Sequence, residues 1–149
     1  MAHSTLRYLS IPEHVKLPSE LVTGIAVVDE QHRMLLSQYE FMRWKRHLSL
    51  TSEFMGDCLH DIGQTLMEHF KTEEDVMRYS RVPADELTRH VEDHFRIIDE
   101  YVALQGLVMT KPHQHIHDVL GTVENWVIKH IANFDVPALK LDIEALSGA

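Results

Sequence analysis

From Pro83 to Leu104 the chain reads PADELTRHVEDHFRIIDEYVAL, an interval whose interior holds neither proline nor glycine. Proline tolerates the first position of a helix because its missing N–H would be unpaired there anyway, and Asp85 and Glu86 follow it in the acidic first turn that the helix dipole favours. The interval predicts a helix to about Leu104, ended by Gly106. Working outward, Ser80-Arg81-Val82 breaks the pattern on one side and Lys111-Pro112 restarts it on the other. Before the break, Phe54, Cys58, Leu59, Ile62, Leu66, Phe70 and Met77 recur at helical spacing to about Tyr79, with Leu50-Thr51-Ser52-Glu53 as the cap region and Gly56 and Gly63 as tolerated weak points. Upstream, Asp29 to about Leu48 carries Met34, Leu35, Phe41 and Met42 at the same period. After the restart, Ile116, Val119, Leu120, Val123, Val127 and Ile131 mark a fourth helix. Strand signals are weak throughout. Long helices with short loops predict one all-α domain, an antiparallel up-down-up-down four-helix bundle over residues 28–135. Residues 1–27, with Pro12 and Pro18, read as an arm laid on the bundle, and residues 136–149 as a tail with a short fifth helix from Ala138 to Leu146.

Composition narrows the function classes. The 149 residues are 44% hydrophobic and 25% charged, which is globular, and their single cysteine, Cys58, cannot close an internal disulfide. A formal charge of −9 opposes binding to nucleic acid or to an anionic membrane, each of which needs a basic footprint. The basic run Arg43 to His47 falls at a helix end, where cations complement the dipole. Leu21 to Val28 is far too short to span a bilayer. Met1 to Arg7 lacks the layout of a secretory leader, so a cytoplasmic protein is the expectation.

Histidine is the unusual count, at twelve. His69 with Glu73, His90 with His94, and His113 with His117 are each four residues apart, about 40° round and about 6 Å along a helix, so both side chains of a pair can reach one ion or two adjacent ones. Level provides a sharper test. In an antiparallel hairpin, residues at one height are equidistant from the turn. His32 and His69 have their midpoint between Leu50 and Thr51; Glu73 and His90 meet between Arg81 and Val82; the His90–His94 pair meets His130 at Lys111. All three midpoints fall on loops assigned without reference to histidine. His32, His69, Glu73, His90, His94 and His130 therefore share one layer. His113, His115 and His117 fall outside it and read as the exposed start of the fourth helix.

That layer is short of anionic bridges, and Asp135 is the natural supply. It lies five residues after His130, about 140° further round an ideal helix, and faces the site only if the helix ends there, as Pro137 hints, or takes a wide π-type turn. Imidazole with carboxylate suits iron, zinc or copper better than calcium or magnesium, and seven protein ligands exceed one ion. Two irons fit that arithmetic best.

Asp29-Glu30-Gln31-His32, His69-Phe70-Lys71-Thr72-Glu73-Glu74, His90-x-x-x-His94-Phe95 and His130-Ile131-x-x-x-Asp135, in this order, resemble the hemerythrin family in its bacterial single-domain branch. The likeness runs from Thr23 to Asp135. It implies a non-haem di-iron centre with an oxo or hydroxo bridge that binds dioxygen reversibly, with azide or nitric oxide as alternative ligands. It also implies that Glu73 and Asp135 bridge, that His90, His94 and His130 hold one iron, and that His32 and His69 hold the other. An apolar pocket at Leu35, Phe70, Trp126 and Ile131 belongs to the same resemblance. Val136-Pro137 departs from the family, which usually continues with polar residues after the bridging aspartate.

Function classes other than a dioxygen carrier or store remain. A di-iron enzyme handling peroxide or nitric oxide is one, although no glutamate here has the histidine three residues on that ferritin-like oxidases use. A sensory module acting through a signalling or redox partner protein is another.

Overall fold

The computed structural model describes residues 16–45, 52–110 and 116–139, and among these every regular element is helical. A 3-10 turn at Ser19–Leu21 leads into α1 (Ala26–Trp44), α2 (Ser52–Arg78), α3 (Ala84–Thr110) and α4 (Ile116–Glu124). α4 is prolonged by two π-type stretches, Asn125–Lys129 and Ile131–Asp135, and the chain is helical again over 136–139. α1 packs along α2, α2 along α3, and α4 with its extension against α1. The first fifteen residues of the arm, the midpoints at Leu50–Thr51 and Lys111, His113, His115 and the fifth helix expected beyond Leu139 all lie outside the described residues. His117 is exposed. No helix among the described residues is long and apolar enough to cross a membrane.

α1 begins three residues before its expected start because Asp29 works backwards. Its Oδ1 accepts from the backbone N–H and the hydroxyl of Thr23, both at 2.7 Å, and its Oδ2 from the N–H of Gly24 at 3.0 Å. Gly24 permits the fold-back with φ of 91°, a conformation open to glycine at little cost. The end of the arm is thereby tied down, and Leu21 is buried in the core.

One sequence expectation is corrected here, and one that stood open is decided. Gly106 does not end α3, which continues to Thr110 with Leu104 and Val108 both buried; an interior glycine costs a helix only about 1 kcal/mol, less than burial of that apolar stripe returns. Of the two forms open to the last helix, it does not take the ending before Pro137. The wide turn takes its place: the N–H of His130 bonds the carbonyl of Asn125, and that of Val136 bonds Ile131, each five residues back. With the four-residue ladder already interrupted, a residue lacking an N–H is accommodated where the helix resumes.

Buried apolar side chains form two clusters. The larger contains Leu35, Leu36, Met42, Leu59, Ile62, Leu66, Phe70, Ile97, Trp126, Val127 and Ile131 among others. The smaller consists of Val28, Met77, Ala138 and Leu139, with Ile25, Val76, Val82 and Leu87 packed against it. Cys58 lies in the larger cluster as a small core residue.

Candidate metal centre

Val28, Met77 and Leu139 of the smaller cluster, and Leu87 packed against it, each sit one helical turn from a polar residue that is buried: Val28 from His32, Met77 from Glu73, Leu87 from His90, Leu139 from Asp135. On the other side of those residues stands the larger cluster. A polar layer is thus sealed between two apolar ones. It contains His32, His69, Glu73, His90, His94, His130 and Asp135, every one buried, with Glu73 and Asp135 wholly inaccessible. All seven residues singled out from the sequence come together here.

They gather as two overlapping sets. Donor atoms of Glu73, His90, His94, His130 and Asp135 lie within 4.8 Å of one another, and so do those of His32, His69, Glu73 and Asp135. The two carboxylates are common to both. Asp135 divides its oxygens between the sets: Oδ2 lies 3.0 Å from Nε2 of both His32 and His69, while Oδ1 lies 2.7 Å from Nε2 of His90 and 2.9 Å from that of His130. Glu73 Oε1 lies 3.1, 3.5 and 3.4 Å from Nε2 of His69, His90 and His94. Five residues separate His130 from Asp135, and the wide turn between them brings both inward. Trp126 and Ile131, also five apart, are both buried on the same widened stretch.

The orientation of the lone pairs tests whether a cation fits. Among the described residues neither oxygen of Glu73 makes a hydrogen bond, nor does Nε2 of His94 or His130, although their neighbours are close enough; the atoms converge within 4.8 Å of one another without lying on donor–acceptor lines. Burying an unpaired carboxylate is costly, and a cation at the point of convergence removes that cost. Donors at 2.7 to 3.5 Å also match neighbouring ligands on an ion, which with bonds of about 2.1 Å stand about 3 Å apart. This buried group can hold metal.

Outer partners turn the histidines the right way. Nδ1 of His32 donates to the carbonyl of Leu21 at 3.0 Å, and Nδ1 of His69 to Oε1 of Gln31 at 3.0 Å. Nδ1 of His94 donates to Glu74 at 2.8 Å, and Nδ1 of His130 to Asp93. Each leaves its Nε2 lone pair for the centre. Sequence reading missed Gln31, Glu74 and Asp93 in this role. Yet each is the immediate neighbour of a candidate ligand on its own helix, Gln31 of His32, Glu74 of Glu73 and Asp93 of His94, and serves a histidine on the next. Phe70 lies flat on His94, ring centroids 3.9 Å apart at 14°, so one wall of the layer is apolar. Leu35, Trp126 and Ile131 are buried in the same cluster as Phe70.

Charges in the layer shift one another's protonation. Burial disfavours a charge on His69 and His90, but Glu73 and Asp135 outweigh it and raise both to about 10. His130 rises to about 9 against the same burial, through Asp135, Asp93 and Glu73. Burial and the neighbouring Asp135 charge push Glu73 up, and the histidines outweigh both to bring it down to about 2. Asp135 is held well below the ordinary carboxylate range, its histidine neighbours again overcoming burial.

No protein-family model, no curated protein and no solved structure matches this chain.

Proposed function

We propose that the chain is a hemerythrin-family protein, an antiparallel up-down-up-down four-helix bundle whose buried centre holds two iron ions and binds dioxygen reversibly. The observation that carries this reading is the division of Asp135 between two histidine sets, one oxygen towards each, which is the arrangement of a bridging carboxylate. Seven ligands in two sets that share Glu73 and Asp135 call for two ions. The alternation of the smaller apolar cluster supports the antiparallel course: Val28 on α1 and Leu87, packed against the cluster from α3, precede the ligand, while Met77 on α2 and Leu139 on the α4 extension follow it.

Imidazole with carboxylate is a donor set for iron among few other metals, and a bound iron pair supplies the two electrons by which dioxygen is taken up and released. The chain's own residues do the rest. His90, His94 and His130 give three nitrogens to one end, and His32 and His69 give two to the other. The end with fewer donors is the one open to an exogenous ligand, whether dioxygen, azide or nitric oxide. Leu35, one turn from His32, together with Phe70, Trp126 and Ile131 keeps water from the layer. Such a protein serves as a carrier, store or sensor.

Anaerobic loading of the full chain with ferrous iron, then cycles of dioxygen and argon, tests the reading. Two irons per chain and an absorption change that reverses under argon are expected. One iron per chain would overturn the di-iron assignment, and irreversible oxidation with turnover would move the protein to the di-iron enzymes.

A further inference from the structure

The two ends of the centre differ in what stands behind their histidines. Behind the three-histidine end are charged groups. His94 donates to Glu74, which Arg78 meets at 3.5 Å; His130 donates to Asp93, which accepts from Nε of Arg96 at 2.8 Å. Each carboxylate is fixed by an arginine roughly a turn further along its own helix, and both arginines are about half exposed. The third histidine of this end, His90, has no hydrogen-bond partner at Nδ1 among the described residues.

Behind the two-histidine end the hydrogen-bond partners among the described residues are neutral. His32 donates to a backbone carbonyl and His69 to an amide oxygen. The amide cannot turn round. Thr72 donates its hydroxyl to the carbonyl of Glu68 at 3.0 Å, so its oxygen is left to accept from Nε2 of Gln31 at 2.9 Å, and Oε1 of Gln31 must face His69. Glutamine therefore fixes the same tautomer of His69 that the carboxylates fix in His94 and His130, but without their charge.

An imidazole whose N–H is held by a carboxylate is a more basic, stronger metal donor than one held by an amide or carbonyl, and outer partners of this kind change metal affinity about 10- to 100-fold. We propose that Glu74 and Asp93 are positioning residues that make the three-histidine end the tighter of two unequal sites, so that divalent metal loads that end first, and that Gln31 keeps the two-histidine end the weaker. This inference rests on the two-metal reading above. It adds to it an order of filling, and it gives a reason for a glutamine standing where a carboxylate would bind metal harder.

Cobalt(II) separates the inference from its foundation, because its visible bands report each site without iron or dioxygen. Metal-free full-length protein is titrated with cobalt(II) against a competing chelator, and circular dichroism checks the fold of each variant. The wild type should fill in two resolved steps. Glu74→Gln and Asp93→Asn, on different helices and each retaining an acceptor oxygen, should each weaken the first step about 10-fold and leave the second within about 3-fold. Gln31→Glu should strengthen the second step by a similar factor and draw the two together. Two cobalt ions bound with both steps unmoved in folded Glu74→Gln and Asp93→Asn would overturn the inference alone, since the third histidine by itself would then explain any inequality. An unsplit wild-type titration would also overturn it. No cobalt bound at all would overturn both the inference and the metal centre.

Discussion

His130 and Asp135 stand five residues apart on one helix, yet Oδ1 of Asp135 lies 2.9 Å from Nε2 of His130. A regular α-helix would set them about 140° apart. The five-residue ladder between Ile131 and Val136 widens the turn until both face inward. Asp135→Ala should therefore leave less than two irons per chain in a protein whose helical content is unchanged, measured by metal analysis beside circular dichroism. Two irons retained would mean that the carboxylate is not a ligand.

Glu73 is wholly buried among histidines. Its removal takes away both a ligand and the countercharge of His69 and His90. Breaking a buried charged group's partnership costs about 3–5 kcal/mol, so metal-free Glu73→Ala should unfold at clearly lower urea than metal-free wild type at neutral pH, besides failing to hold iron. Equal unfolding midpoints would show that Glu73 carries no stabilising charge in the layer.

Leu35 is fully buried one turn after His32. A polar side chain there would bring water to the layer without touching a ligand. Leu35→Asn should retain two irons and speed autoxidation severalfold, followed as loss of reversibility over repeated dioxygen cycles. An unchanged rate would remove Leu35 from the water-excluding wall.

Much of this was legible in the sequence, and the reasons it was differ by element. Apolar residues at helical spacing between the breaks set the four helices, and the pairing of candidate-ligand midpoints with loops set the layer, because helical rise and hairpin geometry leave little freedom. The Glu73–His90 midpoint falls in the break between α2 and α3, residues 79–83. Gly106 misled because a glycine that ends a helix and one that sits inside it are the same letter. The form of the last helix stayed open: Trp126, Ile131, His130 and Asp135 have a spacing of five that fits no regular period, so a terminus and a wide turn explained it equally well. Gln31, Glu74 and Asp93 act across helices, and periodicity along one helix is blind to that.

Burial pushes the Cys58 thiol up to about 12, with the charges of Asp61 and Asp57 adding to it. An unfolded thiol ionises near 8.5. The unfolded chain thus loses its proton first, and the thiol's own contribution to folding stability is unchanged below that pH but falls by about 1.4 kcal/mol per unit as pH rises from about 8.5 towards 12. The raised histidines make both wild type and Cys58→Ala less stable from pH 7.5 to 10, and the wild type should fall more steeply than the variant above about pH 8.5. Parallel curves would mean that the thiol ionises as readily folded as unfolded.

Gly63 is no weak point of α2, because a Cβ built on it would come 2.2 Å from Cζ and 2.3 Å from Oη of Tyr101. The phenol oxygen accepts from Nε2 of Gln105 at 2.8 Å, and the ring lies 6.1 Å from that of Trp126. Any side chain at 63 must drive the ring out of this position. Alanine gains about 1 kcal/mol over glycine in a helix interior, while overpacking costs about 1–3 kcal/mol, so Gly63→Ala should be neutral to about 2 kcal/mol destabilising in urea. At Gly56 and Gly106 nothing among the described residues lies within 4 Å of the added carbon, and neither has positive φ. Both substitutions to alanine should therefore stabilise, by about 0.5–1 kcal/mol. Tyr101→Leu, which removes the ring atoms in the way, should let Gly63→Ala become favourable in the double variant. Equal stabilisation by Gly63→Ala and Gly56→Ala would refute the close approach. Destabilisation by Gly106→Ala would return α3 to an end at that glycine.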